Sequence, residues 1–169
     1  MLENVEHHLE LVALANKLGI DKRVCFLRSI SNDQRLLILK NTAVLLYTPE
    51  NEHFGIVPVE AMHLGCIVIA CNSGGPLESV HDKHTGYLLP PTPALWASKI
   101  NMILQDNLDP LDDETMLLTK SRKMTVNQMK EQAKRRVQTH FSADAFADNL
   151  IAVVKGMNRV GGELGVKLE

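Results

Sequence analysis

Aromatic residues are scarce: one Trp, two Tyr and four Phe make up 4% of a 169-residue chain that is 45% hydrophobic. Aliphatic side chains must therefore dominate any core. Cysteines number only three, Cys25, Cys66 and Cys71. An odd count in apolar segments excludes a disulfide framework and reads as buried free thiols in a reducing compartment. No paired Cys/His spacing is present, so a zinc-type metal site is not expected. Positive charge is not in excess: the formal net charge is −2 and the pI is about 6.4. That removes the electrostatic footprint of a nucleic-acid binder. No signal peptide and no run of 18 apolar residues appears, so this piece is not expected to span a membrane. No Asn-x-Ser/Thr sequon and no internal repeat occurs, and the former fits a cytosolic side. The length is enough for one domain with a proper core.

What is present is concentrated in residues 43–62. Ala43-Val44-Leu45-Leu46-Tyr47 is wholly apolar and reads as a buried parallel strand. Glu50-Asn51-Glu52-His53-Phe54-Gly55-Ile56-Val57 follows as a loop. Pro58 suits a first helical position, where its missing N–H costs nothing. The sequence thus predicts strand, loop, helix, with Glu52 on the loop and Glu60 in the first helical turn. The N–H groups of Gly55, Ile56 and Val57 would point out of the helix N-terminus and favour an anion such as phosphate. Two carboxylates flanking an anion cradle suit a sugar nucleotide, with hydroxyls at each end and phosphates between. The plainer alternative is an acidic first turn that merely complements the helix dipole.

The rest of the chain alternates in the same way. Asn4 reads as the cap of a first helix whose Leu11, Leu14, Ala15 and Leu18 form one apolar face, ended by Gly19. His7 and His8 fall near its solvent-facing start. Val24-Cys25-Phe26-Leu27 reads as a short strand. Ser31 with Gln34 predicts a capping box for a helix over 32–40. After Pro58 the helix should end near Gly65, and Ile67-Val68-Ile69-Ala70 is the next buried strand. Ser73-Gly74-Gly75-Pro76 forms a tight loop after it. Its glycines either let the backbone approach a ligand or supply a turn that needs positive φ. Gly86-Tyr87-Leu88-Leu89 is a further strand. Thr92-Pro93 opens a helix to about Leu104 with Leu95, Trp96, Ile100 and Ile103 inward.

Strands alternating with helices define an α/β fold, a doubly wound parallel sheet. Ligands of such sheets sit outside the carboxyl ends of the strands, where loops 48–57 and 71–76 fall. Residues 1–104 thus read as one α/β domain, 105–113 as an acidic linker, 114–157 as C-terminal helices and 158–169 as a flexible tail. Lys130, Lys134, Arg135 and Arg136 read as a solvated helix face. An anionic membrane surface or lipid pyrophosphate is the functional alternative for them. Ser142 caps the last helix, with Ala145, Phe146, Leu150, Val153 and Val154 on its inner side.

The pair Glu52 and Glu60, seven residues apart, encloses Phe54-Gly55 and is followed by Ala61-Met62. With Asn72-Ser73-Gly74-Gly75-Pro76-Leu77-Glu78-Ser79, it resembles the signature of retaining glycosyltransferases of the GT-B fold, GT4 type. Asn51-Glu52-His53-Phe54-Gly55-Ile56-Val57-Pro58 through Glu60-Ala61-Met62, joined to that second segment, most resembles the mannosyltransferases of dolichol-linked oligosaccharide assembly, and Met1-Leu2-Glu3-Asn4-Val5-Glu6-His7 and Phe26-Leu27-Arg28-Ser29 also resemble their C-terminal half. It covers about residues 1–105 well and 135–155 loosely.

The resemblance implies several expectations. Glu60 would bind ribose hydroxyls. Glu52 would contact the donor sugar as the catalytic carboxylate. The amides of Phe54, Gly55, Ile56 and Val57, with Ser73, Gly74 and Gly75, would hold the pyrophosphate. The donor would be GDP-mannose and the acceptor a lipid-linked oligosaccharide. Transfer would proceed from the same face with no metal or cofactor, on the cytosolic face of the endoplasmic reticulum membrane. His53 receives no chemistry. The Arg and Lys that neutralise the donor phosphates in the family lie upstream of this sequence, as does the N-terminal domain that binds the acceptor. Residues 1–104 are therefore expected to be an incomplete Rossmann-like nucleotide-sugar-binding domain, lacking its first strand and helix, and the isolated piece to be inactive. A non-catalytic nucleotide-sugar-binding module, and a transferase using UDP-glucose, remain as alternatives.

Overall fold

A computed structural model describes residues 2–109 and 124–163. Residues 110–113 of the expected linker, 114–123 of the expected helix and the last six residues lie outside that set. Internal contacts divide the chain into two compact units, 1–35 and 36–169.

The first unit holds α1 (Leu2–Lys17) and a 3-10 turn, Asp21–Arg23. Helix α1 begins ahead of Asn4, so Asn4 is not its cap. Of its expected apolar face only Ala15 is buried; Leu11, Leu14 and Leu18 are exposed. His8 packs edge-on against Phe26, with centroids 5.3 Å apart. Residues 24–27 do not form the expected strand. Val24 is extended, but a strand requires a neighbour to take up its N–H and C=O groups. Cys25, expected to be buried, is exposed there.

Helix α2 (Asn32–Lys40) spans the division between the units. The Ser31 hydroxyl accepts from the Gln34 N–H at 3.2 Å, and the Gln34 side chain accepts from the Ser31 N–H at 2.9 Å, so the capping box forms as read.

The second unit is built on a three-stranded parallel sheet in the order β1 (Val44–Tyr47), β2 (Ile67–Cys71), β3 (Gly86–Leu89). Val44 pairs with Ile67 and Val68 with Gly86. The central strand β2 is buried along its whole length. Its alternate side chains feed two cores, as a strand's two faces dictate. Val68 and Ala70 join Leu39, Val59, Ala61, Met62 and Val80 on one face. Ile67, Ile69 and Cys71 join Tyr87, Trp96 and Ile103 on the other. Helices on both faces make the sheet doubly wound, as expected.

Helix α3 (Ile56–His63) lies on the first face, followed by Gly65 at φ 82, the left-handed stop that its sequence predicts. Helix α4 (Pro76–Ser79) is one turn long, and α5 (Pro93–Leu104) covers the second face. In α5, Trp96 and Ile103 are buried and Trp96 donates its indole N–H to the Pro90 carbonyl at 2.8 Å. Leu95 is exposed, contrary to expectation, because it stands one position off that buried stripe.

Helix α6 (Val126–His140) opens on a capping box of Thr125 and Gln128. It is more tightly bound than its polar sequence implies. Met129 enters one core while Ala133 and Val137 enter the other. Arg136, read as part of a solvated face, donates to the carbonyls of Ser79 at 2.9 Å and Glu78 at 2.7 Å. Ser142 then caps α7 (Ala143–Glu163), accepting from the Ala145 N–H at 3.1 Å. Phe146, Leu150, Val153 and Val154, expected on an inner side, are exposed. The backbone is helical through Glu163, where the sequence reads as a tail.

Candidate functional site

The loops that follow β1 and β2 meet at the carboxyl edge of the sheet. The Gly75 N–H donates to the Glu52 carbonyl at 2.6 Å, and the Asn51 N–H donates to the Ser73 hydroxyl at 3.3 Å. Gly74 and Gly75 make that approach possible. A Cβ on Gly74 would strike the backbone of Glu52, and one on Gly75 the backbone of Phe54, each closer than 3.0 Å. Gly74, at φ 61, supplies the turn that needs positive φ, and the two glycines have a further role. They let one site loop lie directly against the other.

Gly55, at φ 72, turns the loop into α3, and no side chain caps the helix. A Cβ there would stand 3.2 Å from the Tyr47 ring. The helix thus starts at Ile56, two residues earlier than Pro58 suggests. Pro58 still falls in the first turn, where an N–H has no intrahelical partner. The orphan donors are consequently those of Gly55, Ile56 and Val57. Ile56 is exposed and Gly55 buried.

The earlier start moves Glu60 to the fifth helical position. A carboxylate interacts with the helix dipole mainly within the first turn, so that alternative role for Glu60 loses force. Glu60 is half-buried, and one of its carboxylate oxygens is shielded from solvent. It lines a cavity of about 260 Å³ with His63, Val137, Gln138, Phe141 and Ser142, at the junction of α6 and α7.

Glu52 is half-buried on the loop. Its carboxylate accepts from the His53 N–H at 3.2 Å. Tyr47 lies beside it, and its phenol is held above the usual range by burial, then by the Glu52 charge, then by a hydrogen bond to that carboxylate. Phe54 is 41% exposed and meets the Phe141 ring edge-on at 6.0 Å. Sequence reasoning missed both Tyr47 and Phe141. Tyr47 had a signal: an aromatic with a polar tip at the last position of an otherwise aliphatic strand. Phe141 had none, because only folding brings α6 to the loop.

The structure therefore brings Glu52, Phe54, Gly55, Ser73, Gly74 and Gly75 together, with Ile56 and Val57 opening α3 beside them. Glu60 faces the neighbouring cavity on α3. A larger cavity, about 430 Å³, opens on the α5 side among Leu46, Thr48, Cys71, Pro91, Trp96 and Ile100. Its walls are apolar and carry no charge suited to a diphosphate. Burial, and then the Glu50 charge, pushes the Cys71 thiol up.

A parallel sheet with a carboxylate loop, an uncapped helix N-terminus and a Gly-Gly loop at one edge is the α/β architecture of a GT-B C-terminal domain. The solved structures agree on the fold. The C-terminal domain of a glycosyl transferase group 1 family protein (LpcC) from Francisella tularensis superposes with a TM-score of 0.65 at 21% identity, over 85% of this chain and 66% of that one. Anabaena Alr3699/HepE, solved in complex with UDP, gives 0.71 at 22% identity, over 92% of this chain and 38% of that one.

The family model for "Glycosyl transferases group 1" matches residues 4–136, and the chain belongs to that family. Among curated relatives, alpha-1,3/1,6-mannosyltransferase ALG2 of Dictyostelium discoideum is 43% identical over 153 residues, covering 90% of this chain and 33% of the relative. The protein of the same name from Homo sapiens is 40% identical over 154 residues, 91% of this chain and 33% of the relative. The chain spans about a third of the length of the curated relatives it matches. Among the described residues, no helix is long and apolar enough to cross a membrane.

Proposed function

We propose that this chain is the donor-binding portion of a retaining mannosyltransferase that uses GDP-mannose to extend a dolichol-linked oligosaccharide. The observation that carries the reading is the joined pair of loops. Glu52, the free N–H groups of Gly55, Ile56 and Val57, and the Gly74–Gly75 turn share one sheet edge, and Glu60 stands in the second turn of the same helix. The family and the relatives named above support glycosyl transfer. The choice of mannose and of the lipid-linked acceptor rests on the resemblance to the mannosyltransferases.

In this reading the amides at 55–57 hold the diphosphate and stabilise the charge gathered by the leaving group. Glu60 accepts from the ribose diol, and Glu52, steadied by Tyr47, orients the donor sugar. Transfer occurs on one face of the sugar, and no metal or cofactor enters the chemical step. The acceptor is bound by residues outside this chain, so residues 1–169 alone turn over poorly. Orientation of the second substrate can account for about 7–11 kcal/mol of barrier. The reaction takes place on the cytosolic face of the endoplasmic reticulum membrane.

Calorimetry with GDP, comparing the parent with Glu60→Ala and Glu52→Ala, tests the assignment. A charged hydrogen bond contributes about 1.5–3 kcal/mol, so Glu60→Ala should weaken GDP about 10- to 150-fold. Glu52→Ala should cost less, since its partner is the sugar. Equal GDP affinity in the parent and in folded Glu60→Ala would remove the ribose role. Tighter binding of UDP than of GDP would assign a different donor.

A further inference from the structure

We propose that a cavity between the α4–β3 connection and the C-terminal half of α6 binds a phosphate-bearing ligand, at a place separate from the donor loops. The cavity measures about 320 Å³ and is lined by His81, His84, Arg135, Arg136, Thr139 and His140. The chain as a whole is slightly acidic, so this gathering of basic side chains is local.

Two segments more than 40 residues apart in sequence supply the groups. Arg136 and His140 are four residues apart on α6, hence on one face of the helix. Opposite them the rings of His81 and His84 stack at 4.3 Å. Arg136 is fixed in advance by its bonds to the Ser79 and Glu78 carbonyls, which use only part of its five-donor fork. Among the described residues, no carboxylate lies within ion-pair distance of Arg135 or Arg136. The neighbouring Lys134, by contrast, pairs with Glu131 at 2.9 Å.

The negative end of the α6 dipole opposes an anion here, but it amounts to about half a charge against two full guanidinium charges. The planar guanidinium fork favours oxyanions that can accept two parallel hydrogen bonds, and phosphate offers the matching acceptors. The connection at 81–85 leads into the amino end of β3, whereas the donor loops leave the carboxyl ends. Strand β3 runs parallel to β1 and β2, so this connection lies at the amino edge of the sheet. Phosphate chemistry of this kind is carried either by a free phosphorylated molecule or by a lipid headgroup.

The test uses the full 169-residue chain at low ionic strength, where such contacts are least screened. One arm titrates inorganic phosphate and follows binding by calorimetry. The other measures co-sedimentation with phosphatidylcholine vesicles, with and without a minority of phosphatidic acid. Each is repeated with Arg135→Gln, His84→Gln and, as a charge-matched control elsewhere, Lys40→Gln. All variants are first checked for an unchanged thermal melt. Arg135→Gln should weaken binding about tenfold or more, and Lys40→Gln should not. Phosphate binding with that pattern assigns a free ligand, and binding only to phosphatidic acid vesicles assigns a headgroup; both sustain the proposal. Binding in neither arm, or loss that is equal for Lys40→Gln and Arg135→Gln, overturns it. So does binding that both pocket variants leave intact.

Discussion

Replacing Gly75 by Ala should unseat the site while leaving the residue's own backbone unstrained. Gly75 has φ −56 and ψ −34, ordinary helical values that alanine adopts freely. The new methyl would nonetheless stand closer than 3.0 Å to the carbonyl oxygen, carbonyl carbon and Cα of Phe54. These are backbone atoms, one residue before the left-handed Gly55, so no side chain can rotate aside. The two loops must part, and the 2.6 Å bond from the Gly75 N–H to the Glu52 carbonyl goes with them. Overpacking of this kind costs about 1–3 kcal/mol, and a lost hydrogen bond adds about 0.5–1.5 kcal/mol. At about 2–4 °C per kcal/mol for a chain of this size, the melting temperature should fall by roughly 3–18 °C. GDP affinity should fall too, because the amides at 55–57 move with Phe54. Differential scanning calorimetry and GDP titration on folded protein read both effects. Leu77→Ala, on the exposed side of the same turn, should stay within about 0.5 kcal/mol of the parent. A Gly75→Ala variant that matches the parent in melting and in GDP affinity would refute the loop-on-loop packing.

Arg136→Lys should destabilise the second unit, since an ammonium cannot span the Ser79 and Glu78 carbonyls as the guanidinium does; a loss of about 1.5–3 kcal/mol in urea unfolding is expected. Alkaline stability should depend on Tyr87, whose phenol is pushed up to about 12 by burial and then by the Asp109 charge. The folded protein keeps that proton where the unfolded chain, near 10, releases it, so its contribution is full below pH 10 and is lost as pH rises through about 12. Tyr87→Phe should flatten that decline in urea midpoints measured across the window. Cys66, raised to about 11 mainly by burial, should begin the same decline from about pH 9, and Cys66→Ala should remove that earlier part.

Much of this architecture is legible in the chain because it depends on local pattern. The apolar runs at 43–47, 67–70 and 86–89 all form strands, within a residue of their expected limits. The capping box at Ser31 and the stop at Gly65 form as read. What local pattern misses depends on partners distant in sequence. Arg136 looks like one charge in a solvated cluster until α6 packs beside Ser79, 57 residues away. Val24–Leu27 has the composition of a strand, but a strand needs a neighbour. The start of α3 is set by the left-handed Gly55 rather than by Pro58. Exposed apolar faces on α1 and α7 show that periodicity identifies a face without identifying what covers it. At the candidate site, the placing of Glu52, Gly55, Gly74 and Gly75 on loops at one sheet edge is readable from the strand-loop-helix pattern. The Tyr47 and Phe141 contacts are not, since they require the folded neighbourhood.

Backbone amide NMR during a GDP titration tests the central claim most directly. The account predicts the largest shifts at Gly55, Ile56 and Val57, with further shifts at Gly74 and Gly75 and at the residues around Glu60. GDP that binds while those amides stay unmoved, and that instead shifts Thr48, Trp96 and Ile100 around the apolar cavity, would contradict it.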